Sequence, residues 1–148
     1  MGPARYTPPP CEIEKIPFID AVVISHNHYD HLSYPTVLKI KKKHPNCQFF
    51  APLGNKKWFE DAGIHNVTEM DWWETRELKL SRMNSDGQNT EVTTADSSVN
   101  KGKEAEMVAT IGCLPSQHMA ARTMFDKART LWSSWCVESG GKKVWFAG

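Results

Sequence analysis

The sequence predicts a mixed α/β fold, and three observations support this prediction. Short apolar runs typical of buried strands lie at 19–24, 48–51 and 67–70. Helical patterns separate these runs, and such alternation is typical of helices packed on a sheet. At 148 residues the chain is long enough to bury one core but hardly two, so a single domain over residues 1–148 is expected.

The first 17 residues are predicted to form an extended lead-in without regular structure. Proline restricts its own φ angle and lacks a backbone N–H. The lead-in carries a set of prolines: Pro3, Pro8, Pro9, Pro10 and Pro17. The apolar run at 19–24 follows it as the first predicted strand.

A first helix is predicted to begin near Pro35 and to stop at His44. Ser33 is a suitable N-cap, and Val37 and Leu38 contribute to one apolar face. Lysines crowd the outer face and the C-terminal end: Lys39, Lys41, Lys42 and Lys43. They fit either a solvated helix end, where cations complement the helix dipole, or contact with anionic headgroups of a membrane.

The following elements continue the alternation. A strand is predicted at 48–51, a helix at 55–62 with Gly63 in the C-cap position, and two strands at 67–70 and 77–80.

Residues 81–106 differ in character from the rest of the chain. They are rich in Ser, Asn, Thr, Asp, Gly and Lys and hold few large apolar side chains, so we expect a flexible surface insertion. Strands are predicted again at 107–114, 130–137 and 143–147, the last two joined by a Gly-Gly turn.

The most informative segment follows the strand at 19–24 directly. It places His26, His28, Asp30 and His31 within six positions. In extended chain His26 and His28 point to the same side, so both can reach one ion. An exposed polar loop is the alternative, but four ligand-type side chains anchored to a buried strand favour a metal site, with Zn²⁺ the best match and iron or manganese as alternatives.

The strand at 107–114 repeats this design, because it leads to His118. His26, His28 and His118 would give three nitrogens to a first ion and leave a position open for water, as catalytic zinc requires. Asp30 would begin a second ion site together with His31, and could orient the attacking hydroxide as a catalytic residue. This constellation predicts a metal-dependent hydrolase.

Composition excludes several other classes. The formal net charge of +1 gives no bulk electrostatic argument for nucleic-acid binding. No apolar segment approaches membrane-spanning length, so a soluble or at most peripheral protein is expected. The cysteines lie far apart and are expected to be reduced thiols of an intracellular protein: Cys11, Cys47, Cys113 and Cys136. Of the tryptophans, Trp135 and Trp145 are expected in the core, whereas His44 and His65 are expected at the surface.

The histidine motif, with His118 after a later strand, resembles the metallo-β-lactamase superfamily. Further blocks resemble, within it, the phospholipase D family specific for N-acylphosphatidylethanolamines. The order of these blocks along the chain is that of the family: 19–32, Pro52-Leu53-Gly54, Asp71-Trp72-Trp73-Glu74, Pro115-Ser116-Gln117-His118, Arg122-Thr123, 131–135 and Phe146-Ala147-Gly148.

The resemblance implies an αββα sandwich with two zinc ions that hydrolyses N-acylphosphatidylethanolamine to N-acylethanolamine and phosphatidic acid. His26, His28 and His118 would hold the first zinc, and Asp30 and His31 the second. Arg122 would lie near the lipid pocket and could pair with phosphate. The resemblance also implies a phospholipid substrate, peripheral membrane association, a homodimer, and residence on internal membranes, on their cytoplasmic face or in mitochondria.

Three features of that family are missing from the chain. Its bridging aspartate comes directly after the Phe-Ala-Gly block, and its last metal histidine lies further on; an upstream part is also missing. We therefore expect a partial sandwich, a fragment with little or no phospholipase activity of its own. The alternatives are another hydrolase of this fold, acting on lactones, phosphorylated sugars or nucleic acid, and a non-catalytic metal-binding fragment.

Overall fold

A computed structural model describes residues 6–83, 87–94, 107–123, 126–127 and 129–148. The helical elements are a 3₁₀ turn at Ile13–Lys15, α1 at Tyr34–Lys43 and α2 at Lys56–Asp61. The strands are β1 Ala21–Val23, β2 Gln48–Pro52, β3 Val67–Met70, β4 Thr75–Met83, β5 Gly87–Thr94, β6 Met107–Leu114, β7 Ser134–Ser139 and β8 Lys142–Phe146.

The first sheet has the order β1-β2-β3 and is parallel throughout. Its strands are joined by α1 and α2, as the alternation of patterns predicted. Because the strands are parallel, their C-terminal ends lie at one edge of the sheet. The loop that follows β1 therefore opens at that edge.

The second sheet has the order β5-β4-β6-β7-β8 and is antiparallel throughout. Gly140 and Gly141 form the two-residue connection between β7 and β8, with φ angles of 56° and 72°. Positive φ at both positions is typical of hairpin turns that match the twist of the strands.

Two hydrophobic clusters define the layers, and β2 contributes to both. Phe49 and Ala51 pack with side chains of α1 and α2 on one face of the first sheet. Phe50 packs on the other face with Ile111 and Trp135 of the second sheet. This alternation follows from the two-residue period of a strand. The layers are thus helices, first sheet and second sheet, which confirms a mixed α/β fold and accounts for three layers of an αββα sandwich.

The lead-in differs from its prediction, because a 3₁₀ turn forms at Ile13–Lys15. The lysines of α1 explain why. Lys43 Nζ donates to the carbonyl oxygens of Glu14 and, at 2.8 Å, Ile16. Lys39 pairs with the carboxylates of Glu12 and Glu14 at 3.7 and 3.5 Å. These contacts engage part of the lysine run within the protein, whereas residues 1–5 lie outside the described structure.

The predicted insertion at 81–106 was assigned no strand, but β4 continues to Met83 and β5 occupies Gly87–Thr94. β5 pairs with β4 along its whole length. Backbone pairing with a neighbouring strand needs no apolar side chains, so an apolar pattern could not predict it. Residues 84–86 and 95–106 lie outside the described structure, and the flexibility of the insertion stays a prediction.

The tryptophan predictions had different outcomes. Trp135 is fully buried, and its Nε1 donates to the carbonyl oxygen of Ile24 at 2.9 Å. Trp145, expected in the core, is 67% exposed because it lies on the edge strand β8, whose side chains are all exposed. Within the described residues, none of the helices has the length and apolar character needed to cross a bilayer.

Candidate metal centre

The loop after β1 carries the histidine motif. Ile24 N still donates to Phe50 O of β2, and Ser25, His26 and Asn27 are then buried. The chain turns at His28, whose carbonyl oxygen accepts hydrogen bonds from the backbone of the two residues at the end of the motif, His31 and Leu32.

Three imidazoles from two separate segments converge at this edge of the sheet. His26 Nε2 lies 2.9 Å from His28 Nδ1 and 3.0 Å from His118 Nε2. The ring centroids of His26 and His118 are 4.2 Å apart, and those of His28 and His118 are 5.3 Å apart. Within the described residues, this is the group of ligand-type side chains whose potential ligand atoms all lie within 4.8 Å of one another.

The donor set fits a transition metal. Zinc binds imidazole nitrogen at about 2.0–2.1 Å, so tetrahedral ligand nitrogens lie roughly 3.4 Å apart. His26 Nε2 lies 2.9 and 3.0 Å from the nitrogens of His28 and His118, somewhat closer than that separation, and all three ligand nitrogens lie within 4.8 Å of one another. Three neutral nitrogens also leave a fourth position open, as in catalytic zinc sites.

The surroundings of His26 favour its neutral form. The pKa of His26 is lowered from 6.5 to about 4; burial is the largest cause, the neighbouring rings of His31, His118 and His28 act in the same direction, and Asp30 opposes them. Ser25 Oγ lies 2.9 Å from His26 Nδ1. A hydrogen bond donated by Nδ1 to this hydroxyl leaves the Nε2 lone pair directed at the other two imidazoles.

Asp30 and His31 are adjacent but stand apart from the three-histidine group. His31 Nε2 lies 3.4 Å from Asp30 Oδ2, and the Asp30 side chain is 81% exposed. The His31 ring lies 4.2 Å from that of His26. The structure thus brings His31 to the cluster, whereas the Asp30 carboxylate lies against His31 at the surface.

A cavity of about 240 Å³ opens beside the imidazoles. His26, His31 and His118 contribute to its wall, and so do residues outside the predicted metal ligands. These additional lining residues are Ser25, Ser116, Gln117, Trp132, Ser133, Ala147 and Gly148. The sequence blocks around Trp132 and Gly148 could have indicated these lining residues, since both blocks contributed to the family resemblance.

One hydrogen bond and one close approach of the backbone bring distant parts of the chain to this cavity. Ser133 N donates to Ser25 O at 2.8 Å, which joins the residue before β7 to the histidine loop. Gly148 adopts a φ of +103°, and a Cβ there would lie 2.8 Å from Ser25 Cβ. A side chain at this position would therefore be both strained and in collision with the loop.

Arg122, predicted to bind substrate, does not line the cavity. Its Nη1 donates to the carbonyl oxygens of Asn27 and Leu32 at 3.0 and 2.9 Å. The guanidinium also lies over the ring of Tyr29, 4.3 Å from its centroid. Arg122 therefore contacts the histidine loop from outside the cavity, and its pairing with phosphate stays a prediction that this geometry does not support.

Several known proteins have sequences similar to that of this chain. The chain is 36% identical over 152 residues to N-acyl-phosphatidylethanolamine-hydrolyzing phospholipase D 1 of Caenorhabditis elegans, covering 99% of this chain and 36% of that protein. It is 29% identical over 150 residues to an uncharacterized protein of Mycobacterium tuberculosis, covering 100% of this chain and 32% of that protein.

A third relative is the mitochondrial N-acyl-phosphatidylethanolamine-hydrolyzing phospholipase D of Saccharomyces cerevisiae, 27% identical over 146 residues, with 99% of this chain and 26% of that protein covered. The chain thus spans between about a quarter and about a third of the length of these relatives. The family model described as "Beta-lactamase superfamily domain" matches residues 1–148. The protein therefore belongs to the metallo-β-lactamase superfamily.

Proposed function

We propose that this chain provides the first metal site of a zinc-dependent phosphodiesterase of the phospholipase D type, which hydrolyses N-acylphosphatidylethanolamine to N-acylethanolamine and phosphatidic acid. The observation that carries the proposal is the convergence of His26, His28 and His118. Side chains from the segments that follow strands of two different sheets meet there, and hydrolases of this superfamily are built around metal ligands.

The ligand atoms proposed are His26 Nε2, His28 Nδ1 and His118 Nε2, because these nitrogens face one another. A zinc ion held by them would polarise the scissile phosphate and supply a nucleophilic water at neutral pH. Asp30 and His31 would contribute to a second ion. Since Asp30 is largely exposed, that second site requires ligands in addition to these two.

The substrate class rests on two supports. Two of the relatives carry N-acyl-phosphatidylethanolamine hydrolysis in their names. In addition, the cavity wall includes Trp132, and its ring packs against Trp72 at a centroid distance of 6.1 Å. An indole pair beside the imidazoles offers an apolar surface to the non-polar part of a lipid. Because such a substrate resides in a bilayer, we also propose that the protein acts at an internal membrane surface.

A second candidate is a chain that binds one metal ion without turnover. It is favoured by the position of Asp30, which the structure leaves outside the three-histidine group. The two candidates differ in one measurement, because both predict metal binding and only the first predicts release of product.

The test is metal analysis of the purified chain, followed by activity assays. We expect His26→Ala, His28→Ala and His118→Ala each to lose bound zinc. His65→Ala is the matched control, since His65 is exposed and does not belong to the cluster. Equal zinc content in all variants would remove the proposed site.

Substrate class is settled by comparing three substrates under the same conditions. Because residues 1–148 are expected to have little or no activity of their own, we expect at most slow release of N-acylethanolamine from N-acylphosphatidylethanolamine vesicles, and still less reaction with a lactone or a phosphodiester nucleotide. Zinc binding without any turnover would favour the second candidate. Preference for the lactone or the nucleotide would replace the phospholipase assignment with another hydrolase of the superfamily.

A further inference from the structure

The third imidazole lies in a segment that has no regular structure. Residues 115–123 follow β6 without forming a helix or strand, and His118 in the middle of them is exposed. A ligand on such a segment reaches a fixed position only if the chain is held on both sides of it. The contacts of residues 115–123 therefore decide where His118 can lie.

The segment before His118 is held by β7 and the residues that precede it. Trp132 Nε1 donates to Ser116 O at 2.8 Å, and Ser134 Oγ donates to Pro115 O at 3.2 Å. These two hydrogen bonds fix the chain up to two residues before the imidazole. Ser133, between Trp132 and Ser134, connects this part of the chain to the start of the histidine loop at Ser25 O, before His26, but not to the turn at His28.

The segment after His118 is held by Arg122. Its Nη1 donates to Asn27 O and Leu32 O, which lie on either side of the turn at His28. One guanidinium thus spans the loop that carries His28 and links it to the chain four residues beyond His118. Arginine suits this task because its planar fork presents several N–H groups in a rigid arrangement.

The position of Arg122 is itself well determined. Its guanidinium carbon lies 4.3 Å from the ring centroid of Tyr29 and 4.9 Å from that of Trp58. Asp126 Oδ1 accepts hydrogen bonds from the backbone N–H groups of Arg122, at 3.0 Å, and Thr123, at 2.6 Å. Both the side chain and the backbone of Arg122 are therefore restrained. A residue that fixes the distance between two segments must itself be fixed in this way.

We propose that Arg122 is a positioning residue, which sets the distance between His118 and the pair of His26 and His28 by tying the His118 segment to both ends of the histidine loop. The inference rests on the proposed function, because it concerns the ligands of the metal site assigned there. It gives Arg122 a role in metal affinity instead of substrate binding.

The test compares Arg122→Met with Arg122→Lys and with Arg76→Met. Arg76 is a matched control because it is a half-buried arginine that pairs with Glu74 at 3.1 Å on another part of the molecule. Zinc affinity is measured by competition with a chelator, and Co²⁺ absorption reports the ligand geometry. Outer-shell partners of metal ligands typically change affinity by about 10–100-fold, and we expect a loss of that size for R122M.

We expect R122K to lose affinity as well, since one ammonium cannot reproduce the fork, and R76M to keep the affinity of the unchanged chain. R122M with the affinity and Co²⁺ spectrum of the unchanged chain would overturn the inference. If R122M fails to fold, R122K and Asp126→Ala provide the same comparison, because Asp126→Ala releases the backbone of Arg122 while leaving its side chain intact.

A second measurement separates this inference from the proposed function. Amide hydrogen exchange in the metal-free chain reports the His28 turn directly, through His31 and Leu32. We expect R122M to accelerate exchange at these two amides. An unchanged chain that binds no zinc would end the proposed function, whereas unaltered exchange at His31 and Leu32 in R122M would end the inference about Arg122.

Discussion

His26 is the side chain on which the imidazole cluster converges, since its Nε2 faces both other ligand nitrogens. Its remaining nitrogen, Nδ1, lies 2.9 Å from Ser25 Oγ. A metal ligand is oriented by the partner of its second nitrogen, and that partner also fixes which nitrogen carries the proton. Ser25 therefore acts on the metal site without contacting the metal.

This role of Ser25 can be tested by replacing it with alanine. We expect Ser25→Ala to weaken zinc binding by about 10-fold, because the His26 ring loses its orienting partner. Chelator competition measures the affinity. Ser139→Ala is the matched control, since that hydroxyl donates to Val108 O at 2.9 Å on the exposed part of β7. Similar affinities for Ser25→Ala and the unchanged chain would show that the hydrogen bond does not orient His26.

The buried cysteines provide a prediction about pH. The pKa of the Cys47 thiol is raised to about 12, chiefly by burial and also by the charge of Asp20. Burial also raises the pKa of Cys113 to about 11. The folded state thus prefers the neutral thiols, and the stability they contribute is present below the ordinary thiol pKa and is lost as pH rises through these higher values.

Because the thiolate is the reactive form, we expect Cys47 and Cys113 to resist alkylation at pH 8 while the protein is folded. Exposed Cys11 is the internal control and should react quickly. Mass spectrometry of iodoacetamide-treated protein, with and without denaturant, measures each site. Rapid modification of Cys47 in the folded chain would contradict its burial between the first sheet and the helices.

The strand β2 connects the two hydrophobic clusters, so its side chains determine how the layers hold together. Phe50 is fully buried between the two sheets. Truncation of a buried phenylalanine leaves a cavity and costs about 3–5 kcal/mol. We therefore expect Phe50→Ala to lower the free energy of unfolding by that amount in urea denaturation.

The edge strand β8 offers the matched control for Phe50. Phe146 is 44% exposed there, and substitutions at exposed sites usually change stability by about 0.5 kcal/mol or less. Phe146→Ala should therefore leave the urea midpoint nearly unchanged. Equal destabilisation by both substitutions would mean that the packing between the sheets is not the main source of stability.

Local patterns were sufficient to predict the elements of the first sheet. The apolar runs there contribute side chains to both hydrophobic clusters, and capping residues such as Gly63, with a φ of +73°, mark the helix ends. β5 was missed because its stability comes from pairing with β4, which polar side chains permit. Trp145 was misplaced because a residue's position at the edge of a sheet depends on strand order and not on the strand's own composition.

In the candidate site, too, local sequence patterns predicted some features, whereas others depend on the tertiary structure. The spacing of His26 and His28 predicted their common direction, and the parallel with His118 predicted the convergence. The contact between Arg122 and the loop at Asn27 and Leu32 had no sequence signal, because a hydrogen bond to a main-chain carbonyl leaves no mark on the residue that accepts it. Only the tertiary arrangement of residues 115–123 reveals it.

Over the whole molecule, the three imidazoles join the two sheets. His26 and His28 follow β1 of the first sheet, whereas His118 follows β6 of the second. An ion bound by all three would hold the sheets together at this edge and would bind the folded state only. Folding and zinc binding are therefore expected to be linked.

This linkage has a defined size. A ligand that binds only the folded state stabilises it by about 2.7 kcal/mol when its free concentration is 100 times Kd. We expect zinc to raise Tm of the chain and a chelator to reverse the increase, as measured by thermal denaturation. His118→Ala should abolish most of the shift by removing the ligand from the second sheet, whereas His65→Ala should retain it. If His118→Ala kept the full shift while His26→Ala lost it, zinc would be bound by the loop after β1 alone and would not join the sheets.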